Sequence, residues 1–109
     1  MSVGGVALAL AAVFAVAAPS TALADASAGR AKAQMCAPCH GANGLAVAPN
    51  TPHLAGQPQP YLVEQLNAYR SGKRTHEVMA VVAKPLTDAD IADLAAWFAS
   101  LEIVLKKEP

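Results

Sequence analysis

The sequence predicts an all-α domain with three main helices joined by long loops. Three observations carry that reading. Three segments have helical spacing or composition, one long intervening stretch is rich in helix breakers, and nothing in the chain makes a convincing strand. Composition sets the boundary of the domain. The chain has 109 residues and a formal net charge of zero, yet all eight Lys/Arg and all eight Asp/Glu lie within residues 25–109. Residues 1–24 carry no charge, so two segments are expected: a signal peptide over 1–24, cleaved, and one domain over 25–109.

The leader reading rests on residues 3–18, VGGVALALAAVFAVAA, followed by Pro19 and Ser20. Ala22-Leu23-Ala24 then places small residues at the two positions a signal peptidase reads, just before Asp25. No Lys or Arg follows Met1, and an uncleaved anchor is the competing reading. The apolar run is short for a bilayer span and has no basic flank. The expected mature protein is therefore exported and periplasmic, without a membrane span. The balanced charge argues against nucleic acid as a partner, because phosphate neutralisation needs a basic excess.

Residues 25–37 are alanine-rich and read as the first helix, since alanine loses no side-chain entropy there. Gly29 in its interior is costly and marks a close approach by another element. Residues 41–60 hold three glycines, four prolines and two asparagines, which predicts an extended loop. Pro60 suits a first helical turn and Gly72 a C-cap, so a second helix is expected over about 60–71, with Leu62, Leu66 and Tyr69 on one face. Residues 73–86 are read as a second irregular stretch. Thr87, with Asp90 three residues on, forms a capping box that opens the last helix, whose apolar face is Ile91, Leu94, Phe98 and Leu101.

The chemistry-bearing sequence is Cys36-Ala37-Pro38-Cys39-His40. C-x-x-C-H is the attachment sequence of a c-type haem. Two thiols in one turn can add to the two vinyl groups on one side of a porphyrin, and the adjacent imidazole can then ligate the iron. Two other readings stand beside it: a thiol–disulfide redox pair and a structural zinc site. The first lacks a βαβ setting and a helix start at its first cysteine, and the second lacks a usual ligand spacing. For the sixth iron position Met79 is the candidate, because Met35 adjoins Cys36 on the other flank. His76, His53 and open coordination are the alternatives.

CAPCHGANGLAVAPN at 36–50, HLAGQPQPYLVEQLNAYRSGKR at 53–74 and VMAVVAKPLTDADIADLAAWFASL at 78–101 together resemble the small class I cytochromes c of bacteria, closest to the c4 and c553-like group. The resemblance implies a cytochrome c-type fold, with helices and long loops wrapped around one covalently attached haem c. It implies Cys36 and Cys39 as thioether anchors, His40 as proximal ligand and Met79 as distal ligand. Pro49 would offer the carbonyl that accepts the proximal imidazole N–H, and Leu54 would pack at the haem edge. Gly29 and Phe98 would mark the crossing of the first and last helices, with Trp97 standing where the group often has tyrosine. His53 stands where the group often has lysine.

The function so implied is that of a soluble periplasmic one-electron carrier, a monomer and not an enzyme, meeting redox proteins by transient contact near an exposed haem edge. The alternatives are a haem subunit permanently docked to a dehydrogenase or terminal reductase, and a ligand-binding sensor or peroxidase. Arg70, Lys73, Arg74 and Lys84 flank the expected distal loop and could steer an acidic partner, while Asp88, Asp90 and Asp93 open the last helix.

Overall fold

The computed structural model describes residues 1–18 and 23–109. Of the expected leader junction, Pro19, Ser20 and Ala22 lie outside the described residues. Residues 1–18 form neither helix nor strand and are exposed, and no described helix is long and apolar enough to cross a membrane. The domain that follows is all-helical among the described residues: α1 (Ala26–Lys32), a 3-10 turn (Ala33–Met35), α2 (Ala37–His40), α3 (Gln59–Ser71), α4 (Glu77–Ala83) and α5 (Asp88–Ser100).

The first helix is shorter than its alanine content suggests. Asp25 caps it, its carboxylate accepting from the backbone N–H groups of Ser27 and Ala28. The chain then tightens into the 3-10 turn and restarts as α2. Pro38 explains the break, because it has no N–H to donate to the Gln34 carbonyl and its ring would clash there.

α1 and α5 cross at Gly29. A Cβ at Gly29 would sit 1.9 Å from the Asp93 carbonyl oxygen and 2.9 Å from Trp97 Cβ, so only glycine permits this approach. The partners at the crossing are thus Asp93 and Trp97, one turn apart on α5, while Phe98 faces the interior. Charged groups close the rim. Lys32 Nζ lies 2.7 Å from Asp93 and 2.9 Å from Asp90, the Asp25 backbone N–H donates to Asp93 at 2.8 Å, and Arg30 stands 5.5 Å from the Trp97 ring centroid. Trp97 Nε1 is buried here with no hydrogen-bond partner among the described residues.

The core is a small cluster of Ala33, Leu62, Leu94, Ala95 and Phe98, with Leu54, Leu66 and Leu86 packed against it. α3 begins one residue before the expected Pro60 and ends at Gly72, which takes the left-handed conformation of a C-cap. The capping box at α5 is formed in full: Thr87 Oγ1 accepts from the Asp90 N–H at 3.1 Å, and Asp90 accepts from the Thr87 N–H at 3.0 Å. Arg70 ties α3 to the start of α5, donating to the Leu86 carbonyl and pairing with Asp88.

The stretch expected to be irregular over 73–86 instead contains α4, so Met79 is a helical residue. Its helix was hidden because it is a single short element of seven residues, rich in β-branched valine, and is capped by a histidine rather than by a usual capping residue.

Candidate haem site

The backbone at 36–40 places three side chains together. The Cys36 carbonyl accepts from the N–H groups of both Cys39 and His40, at 3.3 and 2.9 Å, so the segment closes as a helical turn. Residues three and four apart share a face of such a turn, which puts Cys36, Cys39 and His40 on one side. Gly41 ends the turn at φ +79, and a Cβ there would meet the Leu45 carbonyl oxygen at 1.9 Å. The chain therefore leaves abruptly, and the N–H groups of Val47 and Ala48 return to the Cys39 carbonyl.

These three residues line a cavity of about 530 Å³ whose other walls come from the 48–57 loop, α3, α4 and α5. All six residues expected at the site line it: Cys36, Cys39, His40, Pro49, Leu54 and Met79. The rest of the wall is largely apolar, with Leu62, Leu66, Leu94 and Phe98 contributing from α3 and α5. A volume of this size lies within the range that accommodates a cofactor.

His40 is the one buried polar side chain among the described residues. Its Nδ1–H donates to the Pro52 carbonyl at 2.9 Å, which fixes the ring and leaves Nε2 as the nitrogen able to ligate. This corrects the expectation for Pro49. The Pro49 carbonyl accepts from Thr51 Oγ1 at 3.2 Å, and the turn through Asn50, at φ 55, carries the chain on so that Pro52 presents its carbonyl to the imidazole. Asparagine tolerates this left-handed conformation better than most residues.

The other two histidines are engaged by the backbone. His53 Nδ1 accepts from the Ala46 N–H at 2.8 Å, stapling the loop across its own turn. His76 Nδ1 accepts from the N–H groups of Val78 and Met79, at 3.2 Å each. Sequence reasoning missed both roles, since a histidine acting as a backbone acceptor has no signature in residue order. The Pro52 carbonyl was likewise missed, because a carbonyl acceptor leaves no mark in residue type.

The competing readings of the cysteines find little support. Contrary to expectation a helical turn does start at Cys36, the N-cap of α2, but burial pushes its thiol up. An activated redox thiol requires the opposite shift. Among the described residues no three His, Cys, Asp or Glu side chains converge to hold a bare metal ion. The residues do fit haem: two thiols and a prefixed imidazole on one face, a methionine thioether lining the same cavity, and apolar walls between them.

The expected division of surface charge is partly cancelled within the fold. Arg70 is committed to Asp88, and Lys32 to Asp90 and Asp93. Arg74 donates to Gln65 and lies 4.7 Å from the Tyr69 ring centroid, beside the cavity.

Comparison with known proteins agrees with this geometry. The family model for cytochrome c matches residues 26–102, and the chain belongs to the cytochrome c family. It is 51% identical over 76 residues to cytochrome c4 of Pseudomonas aeruginosa, covering 70% of this chain and 38% of that one. It is 43% identical over 81 residues to cytochrome c-554(548) of Halomonas halodenitrificans, covering 72% of this chain and 98% of that one. The solved structure of reduced recombinant cytochrome c4 from Pseudomonas stutzeri superposes with a TM-score of 0.68 at 39% identity, over 72% of this chain and 46% of that one. The chain thus spans less than half of these cytochromes c4 and nearly all of the shorter relative. Members of the family bind haem c through cysteine, and Cys36 and Cys39 are the only cysteines in this sequence.

Proposed function

We propose that this chain carries single electrons as a mono-haem c-type cytochrome, held through thioethers at Cys36 and Cys39, with His40 and Met79 as axial ligands. The observation that carries the reading is the convergence of the Cys36-to-His40 turn and Met79 on one largely apolar cavity. When bound, the haem supplies a one-electron Fe(III)/Fe(II) change, and a thioether ligand favours the reduced state.

The work of the polypeptide is to hold that chemistry in place. Pro52 orients the His40 ring through its carbonyl. Leu54, Leu62, Leu66 and Phe98 exclude water from the cavity, and a low-dielectric wall disfavours the more highly charged ferric centre. Because His40 and Met79 would both hold the iron, no coordination site would be left for a substrate, and the chain would serve as a carrier and not as an enzyme.

Its setting follows from the leader. Residues 1–24 are removed before Asp25, and the mature protein works in the periplasm as a monomer, meeting redox partners briefly near the haem edge. Lys73, Arg74 and Lys84 are exposed, and of these Arg74 lines the cavity.

Two measurements test the assignment. The intact mass of the exported protein should equal residues 25–109 plus one haem, and acidified acetone should not extract the pigment. An unmodified mass from a host competent in haem attachment would overturn it. Met79→Ala should keep the haem attached, lower the midpoint potential and open the iron to carbon monoxide. Retention of the ferric methionine–iron charge-transfer band in that variant would show that Met79 is not the ligand.

A further inference from the structure

Met79 reaches the cavity from α4, and α4 has little to hold it in shape. Seven residues lie well below the length at which a helix persists by its own propensity, and three of the seven are valine. Val78 and Val81 are exposed, so packing supports only one side, through Met79, Val82 and the fully buried Ala83. The order of this helix therefore depends on how its ends are closed.

The N-terminal end is closed by His76. Its backbone is extended, at φ −158 and ψ 135, and its Nδ1 accepts from the N–H groups of Val78 and Met79 at 3.2 Å each. One of the two amides so satisfied belongs to Met79 itself. The ring is held in turn from α3. Tyr69 meets it edge-on, with centroids 6.5 Å apart and planes at 73°, and Arg74 covers the Tyr69 ring while donating to Gln65 at 2.7 Å. A continuous set of contacts thus runs from α3, through an aromatic ring and an imidazole, to the backbone of Met79.

We propose that His76 is a positioning residue for Met79. Its imidazole, accepting through Nδ1 with the ring proton on Nε2, holds the first turn of α4 closed and so keeps the thioether at the iron. The proposal rests on Met79 being the distal ligand. It also assigns His76 a role other than that of a substitute ligand.

The test compares three variants of the haem-loaded protein: His76→Ala, which removes the acceptor, His76→Asn, whose side chain is a strong N-cap, and Met79→Ala. The readouts are the rate of carbon monoxide binding to the reduced protein, the ferric methionine–iron charge-transfer band, and the global denaturation midpoint. Loss of a helix cap corresponds to about a two- to thirty-fold change in an opening equilibrium. The expected result is carbon monoxide binding faster by that factor in His76→Ala and within about two-fold of the parent in His76→Asn. A merely structural role would lower the denaturation midpoint without changing that rate, and would overturn the proposal. So would an Asn variant that behaves like the Ala variant. If Met79→Ala keeps the charge-transfer band, the ligand assignment itself falls. If Met79→Ala loses the band but His76→Ala binds carbon monoxide at the parent rate, only the role of His76 falls.

Discussion

The crossing of α1 and α5 and the cavity beneath it are built from the same short chain in opposite ways. At the crossing the polypeptide completes itself. Gly29 removes the side chain that would separate the helices, and two carboxylates pair with Lys32. Around the cavity the chain provides a turn, a loop and a seven-residue helix, with apolar side chains facing a space of about 530 Å³. One region draws its stability from polypeptide contacts, and the other is designed around a group that the polypeptide must bind. The 85 residues from Asp25 onward lie near the lower end for a core that stabilises itself, so a bound group adds to the stability.

The comparison can be broken most severely from the cavity side. Replacing both Cys36 and Cys39 with serine removes the covalent anchor. At roughly 24 cal/mol per Å³, an unfilled cavity of this size would cost on the order of 10 kcal/mol, less whatever water recovers on its open side. That approaches the whole stability of a small domain. The variant should show no cooperative thermal transition by circular dichroism. A sharp transition near that of the parent would mean that the crossing alone sustains the fold.

From the other side, Gly29→Leu forces a side chain against the Asp93 carbonyl, which is backbone and cannot rotate away. The cost should lie at the upper end of the range for overpacking, about 1–3 kcal/mol, read from the urea midpoint. The haem should remain attached and the charge-transfer band should persist at low urea. Loss of the band in the native variant would show that the two regions are not separable.

Thr87→Ala sharpens the comparison, because the capping box opens the helix that serves both the crossing and the cavity wall. The expected loss is about 1 kcal/mol, with no change in midpoint potential. Amide exchange should speed up over the first turn of α5 more than over α1.

The smallest effect is acidic. Asp90 is held down to about 2, first by the Thr87 backbone N–H and then by Lys32, and Asp93 is lowered by Lys32 and by the Asp25 backbone N–H. Both carboxyls ionise more readily in the folded chain than in the unfolded one. Their contribution is therefore present above the usual carboxylate range and is lost as pH falls from about 4 toward 2. Because the pairs are solvent-accessible, the slope should be shallow. Asp90→Asn should flatten it further in an acid unfolding series, and an unchanged slope would remove Asp90 from the account.

Much of this was legible in residue order, for reasons that differ by region. C-x-x-C-H announces its chemistry because two covalent bonds and one coordinate bond must come from a single turn. The capping box and Gly72 are also local, involving residues a few positions apart. Gly29 was legible as a close approach and the resemblance named the last helix as its partner, yet the residues it meets, Asp93 and Trp97, were not, since tertiary packing chose them. α4 was missed because its cap is a side chain that caps through an unusual atom. The exchange of Pro49 for Pro52 has a similar origin. Both prolines offer a carbonyl within one loop, and a single left-handed residue at Asn50 decides which one reaches the imidazole.

The crossing also orders events in time. The Asp25 N–H bonds to a carboxylate 68 residues further along the chain, so α1 is made well before the helix it docks against. Closing a loop of that length must be accomplished before the contacts within it can repay the lost chain entropy. Until α5 has been made, α1 lacks that partner, and the cavity lined by Cys36, Cys39 and His40 lacks its α5 wall. α5, which carries none of these residues, completes the wall of their cavity through Leu94, Ala95 and Phe98.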